Sequence, residues 1–422
     1  MMPELHTSTP VKSGSTKFTI IVPTRERAET LHFCLKTLLK QKYTNFEVLV
    51  SDNFSQDETS KVVTDFKDNR IRYLNTGKRL SMSHNWEFAL SHVKDGWVLF
   101  VGDDDGLLPG ALSLFDEVIR TTGCEALTTA TCTFWWPKHF SSMIEGELTV
   151  PLPPGAPFEL KDSASMLHKV MSGQAAYRDL PWIYNGGAAK VNLLMRLRDG
   201  KGIYFRSLNP DIYSAISLAL STRSYVRINV PISVNGASKH SGGTSHMLGQ
   251  KSDQVSPTSK FLAEGNIPFH SKVVFGKSFQ IMAYECYLQA AHLYATPKYE
   301  LADQLKTALV VAPSAHFQEV FAECKEMAER SGIVMPGWIG VLIGRMIFKM
   351  RGLIGRFTKC RAITVPAAQL GAWDVDLASD AANHIYGMFD HVTKKSRITK
   401  VAAFGFSFLI SVIRYVRRIR GN

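Results

Sequence analysis

The chain has no Cys-x-x-Cys pair: Cys34, Cys124, Cys132, Cys286, Cys324 and Cys360 are scattered over its 422 residues. This spacing argues against a zinc framework and reads as free thiols of a reducing compartment. No Gly-x-Gly-x-x-Gly follows the first apolar run and no Walker A sequence occurs, so a dinucleotide-binding or P-loop domain is disfavoured. Residues 1–16 are polar and lack an apolar h-region, so a loose tail without a signal peptide is expected. The uncharged run over 401–413 falls short of the roughly 20 residues a spanning helix needs. Acidic residues are scarce from 337 onward, where four Asp face fourteen Lys and Arg, and most of the formal +12 charge lies there. The cations are not interleaved with aromatics in a nucleic-acid module, which leaves an anionic membrane surface as the expected partner.

What is present points to a globular α/β chain of two or more domains, with 45% hydrophobic residues to build a core. Apolar runs at 18–22, 46–50, 71–74 and 97–101 read as strands. Helical stripes through Leu31, Leu35 and Leu38 and through Trp86, Ala89 and Leu90 alternate with them. Ser55 and Glu58 form an S-x-x-E capping-box pattern before a helix to about Phe66, and Pro109 suits the first turn of the helix that follows the fourth strand. The βαβα rhythm predicts a mostly parallel sheet with helices on both faces. Ligands of such sheets bind beyond the carboxyl ends of the strands. Thr24-Arg25-Glu26-Arg27, Ser51-Asp52-Asn53 and Asp103-Asp104-Asp105 all fall at those ends. Three adjacent carboxylates at the edge of a core need a counter-charge, and a divalent cation with oxygen ligands, Mg²⁺ or Mn²⁺, is the expected one.

Three segments, Ile20-Ile21-Val22-Pro23-Thr24-Arg25-Glu26-Arg27, Phe46-Glu47-Val48-Leu49-Val50-Ser51-Asp52-Asn53 and Gly102-Asp103-Asp104-Asp105, resemble the family 2 glycosyltransferases. The resemblance is strong over about 17–125 and fainter to about 250. It implies a GT-A fold, a nucleotide-sugar donor with UDP as the default nucleotide, and an inverting, metal-dependent transfer to a glycan or lipid-linked acceptor. It also implies that Pro23, Thr24 and Arg25 line the nucleotide base and that Asp52 hydrogen-bonds the base edge. Asp103 would lie toward the ribose, and Asp104, aided by Asp105, would hold the metal. Gly102 stands where many members carry their first Asp, so the roles within 103–105 stay open by one residue. Asp211 matches the family's catalytic carboxylate at a helix start, where an N-cap role is the structural alternative. The Gly/Ser-rich loop at 234–246 offers Lys239 to the leaving diphosphate and His240 or His246 to the metal, with solvated loop residues as the other reading.

Elsewhere Trp135, Trp136 and Trp182 are either sugar platforms or core. Residues 151–155 read as a proline-rich loop, and 301–329 as solvated helices. The expected organisation is a flexible tail over 1–16, a nucleotide-sugar half over 17–125, an acceptor half over 126–254, a helical extension over 255–336 and a basic amphipathic helical tail over 337–422. In that tail, Met346, Met350, Leu353 and Phe357 alternate with Arg345, Lys349 and Arg356. An interfacial helix on the cytoplasmic face of a membrane fits this pattern, and burial in a homo-oligomer interface is the alternative. A sugar-nucleotide-binding scaffold without turnover is the alternative to an enzyme.

Overall fold

The computed structural model describes residues 14–137, 146–152, 156–238, 267–358 and 361–395. The first hundred residues form β1 (Phe18–Thr24), α1 (Ala28–Leu39), β2 (Phe46–Asp52), α2 (Thr59–Asp65), β3 (Ile71–Asn75), α3 (Met82–Ser91) and β4 (Trp97–Phe100). The four strands are parallel, in the order β4-β1-β2-β3. Ile20, Val22, Val48, Val50 and Leu99 face the leucines of α1 on one side of the sheet. Ile21, Leu49, Val98 and Phe100 face Trp86, Ala89 and Leu90 of α3 on the other. Successive side chains point to opposite faces and both faces are covered, so these strands read as unbroken apolar runs.

The next segment adds β5 (Gly106–Leu107), α4 (Ala111–Thr122), β6 (Ala126–Trp135), β7 (Glu147–Leu152), β8 (Phe158–Asp162), α5 (Ser163–Met171), β9 (Ala188–Lys190), α6 (Val191–Arg196), α7 (Pro210–Ser221) and β10 (Ser224–Ala237). Here antiparallel pairing enters: β9 bridges β4 and β6, β7 pairs with β6, and β5 and β8 pair with β10. The long β10 runs parallel to β6, with register shifts around Pro231. The result is a mixed sheet flanked by helices.

Three local expectations change. The first strand continues through Pro23, which pairs with Ser51. The Ile21 carbonyl accepts from Val101 on the β4 side. Residue 23 faces that same side, past the last β1–β4 pair, so the missing N–H forfeits no ladder bond. The Ser55–Glu58 box does not form: α2 starts at Thr59, whose N–H donates to Asp57, while the Ser55 hydroxyl accepts from Glu26 N–H at 2.8 Å. The helix after β4 begins at Ala111, behind a left-handed Gly110, so Pro109 lies just outside it.

Beyond β10 come α8 (Phe279–Gln289), α9 (Leu301–Val311), α10 (Phe317–Ser331), α11 (Trp338–Thr358), β11 (Arg361–Pro366) and α12 (Val375–Lys395). The helices read as solvated each bury one face: Leu305, Leu309, Val320, Cys324 and Met327 join the core on the α3 side of the sheet. Residues past 337 also return to the body. Strand β11 extends the sheet antiparallel to β7, so Pro151 and Leu152 are strand residues, not loop. Helix α12 lays Ala378, Ala381, Ala382 and Ile385 over Phe134, Leu148, Val150 and Val234. Its Asp376 pairs with Lys36 and Lys40 of α1, and Asp380 pairs with Lys40. Among the described residues no helix is long and apolar enough to cross a membrane.

Candidate active site

The loop leaving β4 turns its three carboxylates in three directions. Asp103 accepts from the Thr24 hydroxyl at 2.7 Å and from the Arg27 guanidinium at 2.8 Å. Asp104 accepts from the Ser238 hydroxyl at 2.5 Å and lies 3.7 Å from the Arg27 guanidinium. Asp105 turns back into the protein, accepting from the N–H groups of Gly102 and Gly236 and from the Tyr184 hydroxyl at 2.9 Å. All three are at most 4% exposed. Burial, with the Asp104 charge beside it, pushes the Asp105 carboxyl up to about 8. Burial pushes Asp103 up to about 6 against the opposing pull of Arg27. A Cβ on residue 102 would meet Asp105 Oδ2 at 2.5 Å and the Tyr184 hydroxyl at 2.6 Å, so the loop requires glycine there.

The parallel register sets Thr24, Asp52 and Asn75 side by side at the ends of β1, β2 and β3. Asp52 is buried and accepts from Ser55 N–H at 3.0 Å, Tyr73 Oη at 2.5 Å and Asn75 Nδ2 at 3.2 Å. Those bonds take three of a carboxylate's roughly four acceptor sites. Pro23 near the end of β1 and Arg25 on the loop after it are half-buried. The left-handed Glu26 staples that loop to the one after β2 by accepting from Gln56 and Asp57 N–H.

Asp211 lies in the first turn of α7, whose N-cap is Asn209, so the capping position is not its own. It is half-buried and accepts from the Tyr177 hydroxyl at 3.3 Å. Burial raises its pKa, opposed by the Ile212 N–H, by the Arg178 charge and by Tyr177. Burial and the charges of Asp105, Asp104 and Asp211 together hold the Tyr184 phenol well above the usual range. Trp136 and Trp182 are buried, Trp136 donating its indole N–H to the Asp104 carbonyl. Arg178 reaches across the Tyr177 and Trp182 rings at 5.8 and 5.9 Å.

The geometry thus brings Thr24, Asp103, Asp104 and Asp105 into one cluster. Lys239, His240 and His246 lie outside the described residues, as do residues 1–13 and 401–413. Among the described residues no three His, Cys, Asp or Glu side chains are arranged to hold a metal ion. Sequence reasoning passed over Arg27, Ser238, Tyr177 and Arg178. Arg27 had a signal, since three carboxylates need a counter-charge and it stands two residues past Arg25. Ser238 lies in the Gly/Ser-rich stretch at 234–246, where Lys239, His240 and His246 stand out instead, and Tyr177 and Arg178 come from a distant segment with no local signature.

Residues 19–131 match the family model described as glycosyl transferase family 2. That stretch belongs to glycosyl transferase family 2. The family segment ends inside β6, after all three carboxylates and before Asp211. A relative in Campylobacter jejuni, GalNAc(5)-diNAcBac-PP-undecaprenol beta-1,3-glucosyltransferase, is 37% identical over 100 residues, 23% of this chain and 32% of its own. In Escherichia coli, the UDP-Glc:alpha-D-GlcNAc-diphosphoundecaprenol beta-1,3-glucosyltransferase WfgD is 31% identical over 86 residues, 20% of this chain and 34% of its own. The chain therefore spans about a third of the length of these relatives. Among solved structures, S. aureus TarS 1-349 in complex with UDP-GlcNAc aligns at a TM-score of 0.42 and 17% identity, over 72% of this chain and 73% of that one.

Proposed function

We propose that this protein is an inverting glycosyltransferase that moves a sugar from a nucleotide-diphosphate sugar, with UDP as the nucleotide, to a lipid-linked acceptor. The observation that carries this reading is the buried carboxylate loop at the end of β4, with the half-buried Asp211 in the first turn of α7 as a further carboxylate. The family segment supports the donor class. The two bacterial relatives, whose names specify diphosphoundecaprenol-linked acceptors, support the acceptor class.

In this reading Thr24 and Arg25 border the nucleotide, and Asp52 accepts from the base edge through its remaining acceptor site. Asp103 lies on the ribose side. The donor set suits Mg²⁺ or Mn²⁺: the buried oxygens of Asp103 and Asp104 lie together beside the Arg27 guanidinium, and hard carboxylate ligands favour such ions. Asp104 would hold the metal, with His240 or His246 as further candidates, and the bound ion would supply Lewis-acid stabilisation of the diphosphate. The acceptor hydroxyl oxygen bonds to the anomeric carbon as the bond from that carbon to the diphosphate oxygen breaks. The electron pair leaves with the diphosphate, and the hydroxyl proton passes to Asp211 as general base. Tyr177 holds the Asp211 carboxylate in place. A location on the cytoplasmic face of a membrane follows from a lipid-linked acceptor.

A donor screen reading nucleoside-diphosphate release, with and without a lipid-diphosphate acceptor and with EDTA, tests this reading. Acceptor-dependent release that EDTA abolishes is expected. Donor binding without hydrolysis or transfer would instead identify a scaffold.

A further inference from the structure

Helix α11 packs on α9 by one face only. Val341 is 1% exposed, a Cβ on Gly344 would meet Val310 Cγ2 at 2.6 Å, and Arg345 donates to the Leu309 and Ala312 carbonyls. At 3.6 residues per turn, Ile339, Leu342, Ile343, Met346, Ile347 and Met350 share about 140° of the opposite face, a stripe about 17 Å long. Each of the six is between 42% and 76% exposed. Scattered apolar residues on a surface need no explanation, but a continuous stripe does.

The charges beside the stripe say what covers it. On the helical wheel Lys349 falls just beyond one edge and Arg351 just beyond the other, and both are exposed. The helix contains no Asp or Glu. Of the acidic residues that follow, Asp376 pairs with Lys36 and Lys40, Asp380 pairs with Lys40, and Asp374 accepts from Leu377 N–H. A second copy of this face would set cations against cations. The chain's own 401–420 segment, also without an acid, would do the same.

We propose that the exposed face of α11 is a docking surface for an anionic lipid bilayer. The helix lies in the plane of the interface, its six apolar side chains enter the acyl boundary, and Lys349 and Arg351 reach the headgroups on either flank. This deepens the membrane location proposed above by naming the element that provides it, and it is read without turnover.

The test is co-sedimentation of the full chain with phosphatidylcholine vesicles, with and without phosphatidylglycerol. Binding that requires phosphatidylglycerol and weakens with salt is expected. Replacing Ile339, Ile343 and Met346 together with Asn should lower the partition coefficient at least about tenfold. Lys349→Gln with Arg351→Gln, which leaves the apolar stripe intact, should lower it by about thirtyfold at low salt, at about 1 kcal/mol per cation. Nucleotide-sugar binding, measured on the same samples, should not change. Wild-type vesicle affinity in both variants would overturn the proposal, because other parts of the chain would then do the docking. Loss of a dimer in the triple variant, with no vesicle binding by the wild type, would assign the face to a second copy. A wild type that docks but binds no nucleotide sugar would refute the transferase reading and leave the docking surface standing.

Discussion

A glycine decides how the carboxylate loop is used. Residue 102 cannot carry a side chain, because its Cβ would strike Asp105 and Tyr184. The pair of carboxylates that turns toward the end of β1 is therefore Asp103 and Asp104, while Asp105 fastens the loop to Gly236 and Tyr184. The same scale governs the pH response. A general base must be ionised to act, and burial raises Asp211 above its ordinary value of 3.8. Turnover should therefore fall as pH drops through an apparent value above 3.8, where an exposed aspartate would still be ionised. A pH–rate profile at saturating donor checks this. An acid limb at or below the ordinary value would remove Asp211 from the role of base.

Among the elements, β10 positions the site. It is bent at Pro231 and so brings Gly236 and Ser238 against the carboxylate loop from 131 and 134 residues away. A Cβ on Gly236 would lie 1.7 Å from the Asp104 carbonyl oxygen and 2.6 Å from the Trp136 indole nitrogen. Gly236→Ala should cost about 1–3 kcal/mol of stability and weaken donor binding. Gly340→Ala, on α11, has its nearest neighbour at 3.7 Å and should be neutral or stabilising. Thermal melts with donor titration compare the two. The elements also separate what could be read early from what could not. Strands β1 to β4 announced themselves as apolar runs, and Thr24, Asp52 and Asp103 were legible because they end those runs. Strand β9 has three residues, and β7 carries a proline. The first has no local pattern, and the second alternates Leu148, Val150 and Leu152 inward but carries Pro151, which reads as loop until β11 pairs with it. Tyr177 and Arg178 were missed as site residues for the same reason: tertiary packing brings them to Asp211.

For the whole molecule, the chain past 337 both completes the body and leaves it. Strand β11 covers the edge of β7, and α12 covers the apolar face of Phe134, Leu148 and Val150. Ending the chain at 336 should expose both, leaving an unpaired strand edge prone to association. That truncation is expected to aggregate or to melt without a cooperative transition. A chain ending at 395 should melt cooperatively and bind donor, which differential scanning calorimetry and donor titration can decide. The basic tail is thus not separable as a block, because Asp376, Asp380 and the small apolar residues of α12 serve the body while the outer face of α11 stays exposed. The proposed reaction rests on Asp211 taking the proton from an acceptor hydroxyl. The most direct measurement is the turnover of Asp211→Asn alongside its donor affinity. The substitution keeps size and helix position and removes basicity. A fall in turnover of about 10²–10⁴-fold with unchanged donor affinity is expected. A fall of less than about tenfold would contradict the assignment of Asp211 as the base and return it to a structural role in the first turn of α7.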